Sequence, residues 1–172
     1  MSELLPGATR FALLVDPRGP AAKPTIAEVK SAASSTGRQI EILTASTNFE
    51  IDSVFVSLAQ KRAQALLVAN QVLFFTRRVQ LQTLATRYAI PTIYSGRVFV
   101  EAGGLMSYGS DSNDRERQLG IYTGRVLKGE NPADLPILRA SKFEFVINLQ
   151  TAKTLGIDVP ATLTARADEV IE

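Results

Sequence analysis

The feature that most limits the fold is a run of five apolar residues, ALLVA at 65–69, with no polar residue alternating along it. A strand with one wet face alternates apolar and polar side chains. A strand without alternation is covered on both faces, as strands of parallel sheets are. A similar run stands at 11–15 (FALLV), with shorter ones at 40–43 (IEIL) and 91–94 (PTIY). Helical patterns follow each of them. Thr25 and Glu28 have capping-box spacing ahead of a face carrying Ile26, Val29 and Ala33, with Gly37 placed to end the helix. Thr47 and Glu50 repeat that signal, and Ile51, Val54, Phe55, Leu58 and Ala59 keep the spacing of a core-facing helix. Phe74, Leu81, Leu84, Ala85 and Tyr88 stripe a third helix, and residues 97–102 form a short fourth stopped by Gly103 and Gly104. Four successive strand–helix units predict an α/β fold, an open parallel sheet flanked by helices and joined by right-handed crossovers.

Beyond Gly104 the pattern changes. Residues 105–109 read as a brief strand, and Ser112 or Asn113 is placed to cap a helix running to Gly129. Its apolar stripe is Leu119, Tyr122, Val126 and Leu127. An extended link at 131–136 leads to a strand at 143–148, where Phe143, Phe145 and Ile147 share one face. Asn148 then caps a short helix ending at Gly156, and Pro160 opens a tail to Glu172.

The 172 residues include no histidine and no cysteine. That excludes Ser-His-Asp and Cys-His nucleophile systems, ordinary zinc sites and disulfides. The pattern calls for no cofactor and no metal. Nineteen Lys and Arg against 17 Asp and Glu leave a formal charge of +2, and no basic cluster is interleaved with aromatics, so a nucleic-acid partner is not expected. No apolar run approaches the roughly 20 residues of a membrane span, and the first residues lack the pattern of a secretion signal.

In an open α/β sheet, ligands bind beyond the carboxyl ends of the strands. Six candidate ligand-binding residues fall there: Asp16 and Arg18 after the first strand, Asn70 and Gln71 after the third, Tyr94 and Ser95 after the fourth. Thr44 and Ser46 follow the second. This polar rim, with one carboxylate and one guanidinium, suits a small polar or zwitterionic ligand. Tyr94 and Tyr108 are candidates to stack on an aromatic one. No glycine-rich phosphate loop follows the first strand. A phospho-accepting receiver domain would need an Asp where Asn70 stands. An enzyme would have only Asp16 with Arg18 as its titratable pair, an arrangement better suited to a salt bridge.

The segments EAGGLMSYG (101–109), GRVLKGENPADLP (124–136), KFEFVINLQTAKTLG (142–156) and ADEVIE (167–172) closely resemble the ABC-transporter substrate-binding family that includes tryptophan-binding lipoproteins. The resemblance runs from Leu4 to the last residue. It implies the architecture of type I periplasmic binding proteins, in which two α/β lobes joined by a three-stranded hinge close on a ligand. Residues 8–104 would be most of the carboxyl-side lobe. Residues 105–141 would supply a crossover strand and a helix of the missing amino-side lobe, and 142–172 a return strand, short helix and tail. The chain would then be a carboxyl-side fragment of a periplasmic or other extracytoplasmic protein, the alternative being a cytoplasmic ligand-sensing regulatory domain of the same fold. Its partners would be a small-molecule ligand, amino acids being the family's usual one, and an ABC permease of the inner membrane. The stripe of the crossover helix, left without its lobe, predicts a homodimer through 105–128. Two departures stand at the rim: Gln71-Val72 replaces an Asp-Pro of many relatives, and Asp16-Pro17 stands where relatives often carry Asn-Pro.

Overall fold

The first strand, β1 (Arg10–Val15), is buried from Phe11 onward on both faces, as its unbroken apolar sequence requires. In this computed structural model, which describes residues 1 and 3–172, β1 is flanked by β2 (Gln39–Thr44) and β3 (Ala65–Val68). Outward from β3 follow β4 (Thr92–Tyr94), β5 (Met106–Ser110), β6 (Phe143–Asn148) and β7 (Glu169–Ile171), giving the order β2-β1-β3-β4-β5-β6-β7. Every neighbouring pair is parallel except β5 and β6, which run antiparallel with Tyr108 opposite Phe145. The return through 142–148 produces that one reversal. Where a featureless tail was expected, Glu169–Ile171 adds an edge strand parallel to β6, pairing Ile147 with Val170.

Helices cover both faces. Helix α1 spans Ala22–Ser35, three residues ahead of the expected start, so Thr25 and Glu28 form no capping box. The reason is local. Ala22 N donates to Gly19 O at 3.0 Å and Thr25 N to Ala21 O at 3.0 Å, while Pro24 sits in the first turn, where its missing N–H has no helical partner to lose. Helix α2 (Asn48–Gln60) begins as expected: Glu50 N donates to Thr47 Oγ1 at 3.2 Å, and Ile51, Val54, Phe55 and Leu58 are buried. The third helix is two pieces, α3 (Val72–Thr76) and α4 (Arg78–Arg87), broken at Arg77. A five-residue α5 (Arg97–Glu101) follows β4.

Three apolar clusters result, the smallest of them Ala8, Phe11 and Ala65. The largest joins β1 to the helices through Leu13, Leu14, Phe55, Phe74 and Leu81, and another packs Leu4, Leu105, Met106, Ile147 and Leu163 beneath the other end of the sheet.

Helix α6 (Ser112–Leu127) stands apart. It is capped by Asp111, whose carboxylate accepts from Asn113 N at 2.8 Å and Asp114 N at 3.2 Å; neither Ser112 nor Asn113 is the cap. None of its residues is buried. Leu119 is 67% and Leu127 82% exposed, and the following segment leaves Ile137 97% exposed. A 3₁₀ turn (Pro132–Asp134), α7 (Leu149–Thr154) and α8 (Ala161–Thr164) complete the chain. Among the described residues no helix is long and apolar enough to cross a membrane.

Candidate functional site

The carboxyl ends of β1, β3, β4 and β5 open onto a cleft of about 750 Å³, a size typical of small-molecule sites. Five of the six expected rim residues line it: Asp16, Arg18, Asn70, Gln71 and Ser95. Their roles differ sharply.

Asp16 is 8% exposed and its carboxylate is fully engaged. Oδ1 accepts from Arg18 N at 3.0 Å, Arg18 Nε at 3.1 Å and Ser46 Oγ at 2.9 Å, and Oδ2 accepts from Arg18 Nη2 at 3.0 Å. Hydrogen bonds from Arg18 hold its pKa down to about 2, against the cost of burial. Arg18 Nη2 also donates to Ser46 O, tying the ends of β1 and β2. The guanidinium keeps its outer side in solvent, 63% exposed, and remains able to meet an anionic group.

Gln71 serves the backbone rather than the cleft. Asp16 N donates to Gln71 Oε1 at 2.5 Å, and Gln71 Nε2 donates to Asp16 O at 2.7 Å. A Cβ on Gly19 would lie 2.2 Å from Gln71 Nε2, so glycine is required for the amide to seat. Asn70, by contrast, is exposed at the opening. Ser95 stands beside Gly109, where a Cβ would come within 2.0 Å of Ser95 O.

Tyr94 is corrected by the structure. It is 2% exposed and does not line the cleft. Its ring stacks on Phe99, with centroids 4.7 Å apart and planes 10° from parallel, on the far side of the cleft floor. Burial pushes its phenol well above the ordinary tyrosine range. Tyr108 stacks on Phe143 at 5.7 Å, away from the cleft.

Aromatic surface in the cleft comes instead from Phe75, 49% exposed, set edge-on to Phe99 at 6.4 Å. The adjacent Phe74 is fully buried, so the FF pair in VLFFT divides between core and cleft. Sequence reasoning assigned Phe74 and passed over Phe75, although an apolar residue beside a core position at a helix start was the available signal. It also passed over the far wall, where α6 brings Ser112, Arg115 and Glu116 to the cleft.

Arg97 lines the cleft as well, but three carboxylates hold it: Glu101 Oε1 at 2.7 Å, Glu144 Oε1 at 2.6 Å and Glu169 Oε2 at 2.6 Å. These bonds raise its pKa further and fasten α5 to β6 and β7. Among the described residues no cluster of carboxylates is arranged to hold a metal ion.

Solved structures share this fold. The ABC domain of Streptococcus pneumonia in complex with L-Trp is 27% identical with a TM-score of 0.90, covering 99% of this chain and 59% of that one. A conserved domain protein from Vibrio cholerae is 23% identical with a TM-score of 0.91, covering 98% of this chain and 57% of that one. A ligand-free, open substrate-binding protein with adhesive properties from Clostridium difficile is 23% identical with a TM-score of 0.72, covering 99% and 58%. The chain thus spans less than three fifths of the length of each. No curated protein sequence matches it. The family model for ABC transporter substrate-binding proteins matches residues 1–171, nearly the whole of a chain whose sheet, cleft and return strand have the matching form. The chain belongs to the ABC transporter substrate-binding protein family.

Proposed function

We propose that this chain is one lobe of a two-lobed extracytoplasmic binding protein that delivers a small solute, an amino acid or an aromatic relative of one, to an ABC permease. In this reading residues 8–104 are the lobe, 105–141 cross toward a second lobe, and 142–172 return. The observation that carries the reading is the cleft itself, with its polar rim at Asn70 and Ser95, the outward guanidinium of Arg18 and the aromatic edge of Phe75. This combination suits a ligand having both a charged and a flat apolar part. A neighbour complexed with L-Trp at 27% identity supports the aromatic choice.

The proposed role is binding without catalysis. The carboxylate of Asp16 is held ionised by Arg18 and Ser46, which suits it to fixing the rim and not to taking up protons near neutrality. Because the cleft opens beside an uncovered α6, half of the ligand's surroundings belong to a second lobe, and the isolated chain binds weakly. In isolation, the apolar face of α6 pairs with a second copy, while Leu105, Met106 and Ser107 of the expected 105–128 contact are buried in this chain's own sheet.

Amide chemical-shift titration detects such weak binding. Titration with L-Trp, then with other aromatic, aliphatic and charged amino acids, is expected to move Asn70, Phe75, Ser95 and Gly96. An absence of shifts with every amino acid, or shifts confined to another face, would refute the reading.

A further inference from the structure

Behind the cleft floor, three buried polar atoms have no hydrogen-bond partner among the described residues: Gln82 Nε2, Gln82 Oε1 and Tyr94 Oη. Gln82 is 6% and Tyr94 2% exposed. Buried amides and hydroxyls are costly without partners and nearly always have one. Thr92 lies close enough to the phenol to offset part of its raised pKa, but its hydroxyl donates to Ile90 O at 3.0 Å and makes no hydrogen bond with Tyr94.

Gln82 and Tyr94 line one small space, together with Thr92, Thr151 and the glycine pair 103–104. It leaves about 10 Å³ for the centre of a water-sized sphere, which admits a single water molecule. The glycines keep it open to both side chains: a Cβ on Gly103 would lie 3.0 Å from Gln82 Oε1, and one on Gly104 would lie 2.7 Å from Tyr94 Cε2. Thr151 Oγ1 already donates to Gly103 O at 2.8 Å, so both threonine oxygens keep only accepting capacity.

We propose that this space is a binding site for one ordered water that bridges Gln82 and Tyr94. Tyr94 Oη donates to the water, which donates one hydrogen bond to Gln82 Oε1 and a second to a threonine oxygen. The bridge ties α4 to β4 at the turn that launches β5. Because Tyr94 stacks on Phe99, it also steadies the floor of the cleft from behind.

A crystal structure of the chain at a resolution that shows ordered solvent, with unfolding midpoints for Tyr94→Phe, Gln82→Met and the double variant, tests this directly. The water is expected in the space. Each single variant lowers the midpoint by about 2–4 °C, and the double variant lowers it by less than the sum, since either change alone breaks the bridge. A dry space, a higher midpoint for Tyr94→Phe, or additive losses would each overturn the proposal. The crystallographic result stands even if a variant fails to fold.

Discussion

Gln71 holds Asp16 by both of its backbone groups, accepting from Asp16 N at 2.5 Å and donating to Asp16 O at 2.7 Å. The side-chain amide thereby extends the β1–β3 pairing past the end of β3, where Ala69 N still donates to Leu14 O. Replacing it with Ala leaves the shielded Asp16 N–H without a partner at the rim, while Asp16 O keeps the bond that Gly19 N donates at 3.1 Å. Gln71→Ala is expected to reduce stability by about 1–3 kcal/mol, measured by denaturant unfolding. A loss within error would mean that solvent replaces the amide without cost.

The carboxylate of Asp16 makes the rim acid-sensitive. Its folded pKa, about 2, lies below the ordinary 3.8, so between these values the unfolded chain binds the proton first. The stabilisation is present above about pH 4 and disappears as pH falls through 2. The shift corresponds to about 2 kcal/mol, and solvent around the exposed Arg18 reduces it to about 1–2 kcal/mol. Unfolding measured between pH 2 and 5 should show the wild type losing this increment while Asp16→Asn does not. Parallel curves for the two proteins would rule out the assignment.

The four strand–helix units were legible because their signals are local. The apolar runs of β1 and β3, the Thr47–Glu50 cap and the Asn148 cap, which accepts from Thr151 N at 2.8 Å, all lie within a few residues of each other. Tyr94 was misplaced because β4 has three residues and both faces of the sheet are covered, so alternation gives no indication of which side a residue takes. The engagement of Asp16 by Ser46 and Gln71 joins positions 30 and 55 residues apart, and the Arg97–Glu169 pair spans 72. No spacing rule reaches that far. The same holds for Ser112, Arg115 and Glu116, which reach the cleft only because β5 crosses the sheet before α6 begins.

Glycines at two sites should respond in opposite directions. At Gly109 a Cβ would meet Ser95 O at 2.0 Å and Ser95 C at 2.9 Å, and since both are backbone atoms the strand or the rim must move. Gly109→Ala is expected to cost more than about 2 kcal/mol and to displace the Ser95 amide resonance. Gly120 and Gly124 lie inside α6 with nothing within 4 Å of a Cβ. Alanine at either should stabilise the helix by about 0.5–1 kcal/mol. Stability near wild type for Gly109→Ala would show that the β5 approach is loose.

The uncovered face of α6 yields the last prediction. A 16-residue helix without one buried residue gains little from packing, yet Leu119 and Leu127 present large apolar side chains to solvent, and Ile137 and Leu138 in the segment that follows are exposed as well. Large exposed apolar area usually marks a contact. Light scattering of the purified chain at rising concentration should report a dimer. Leu119→Glu combined with Leu127→Glu should return it to a monomer, because each change puts a charge into the apolar contact. The sheet contains neither residue, so circular dichroism should retain its β signal. A wild-type chain that stays monomeric at high concentration, with the α6 amides protected from exchange, would show that this helix stands without a partner and would remove the pairing from the proposed function.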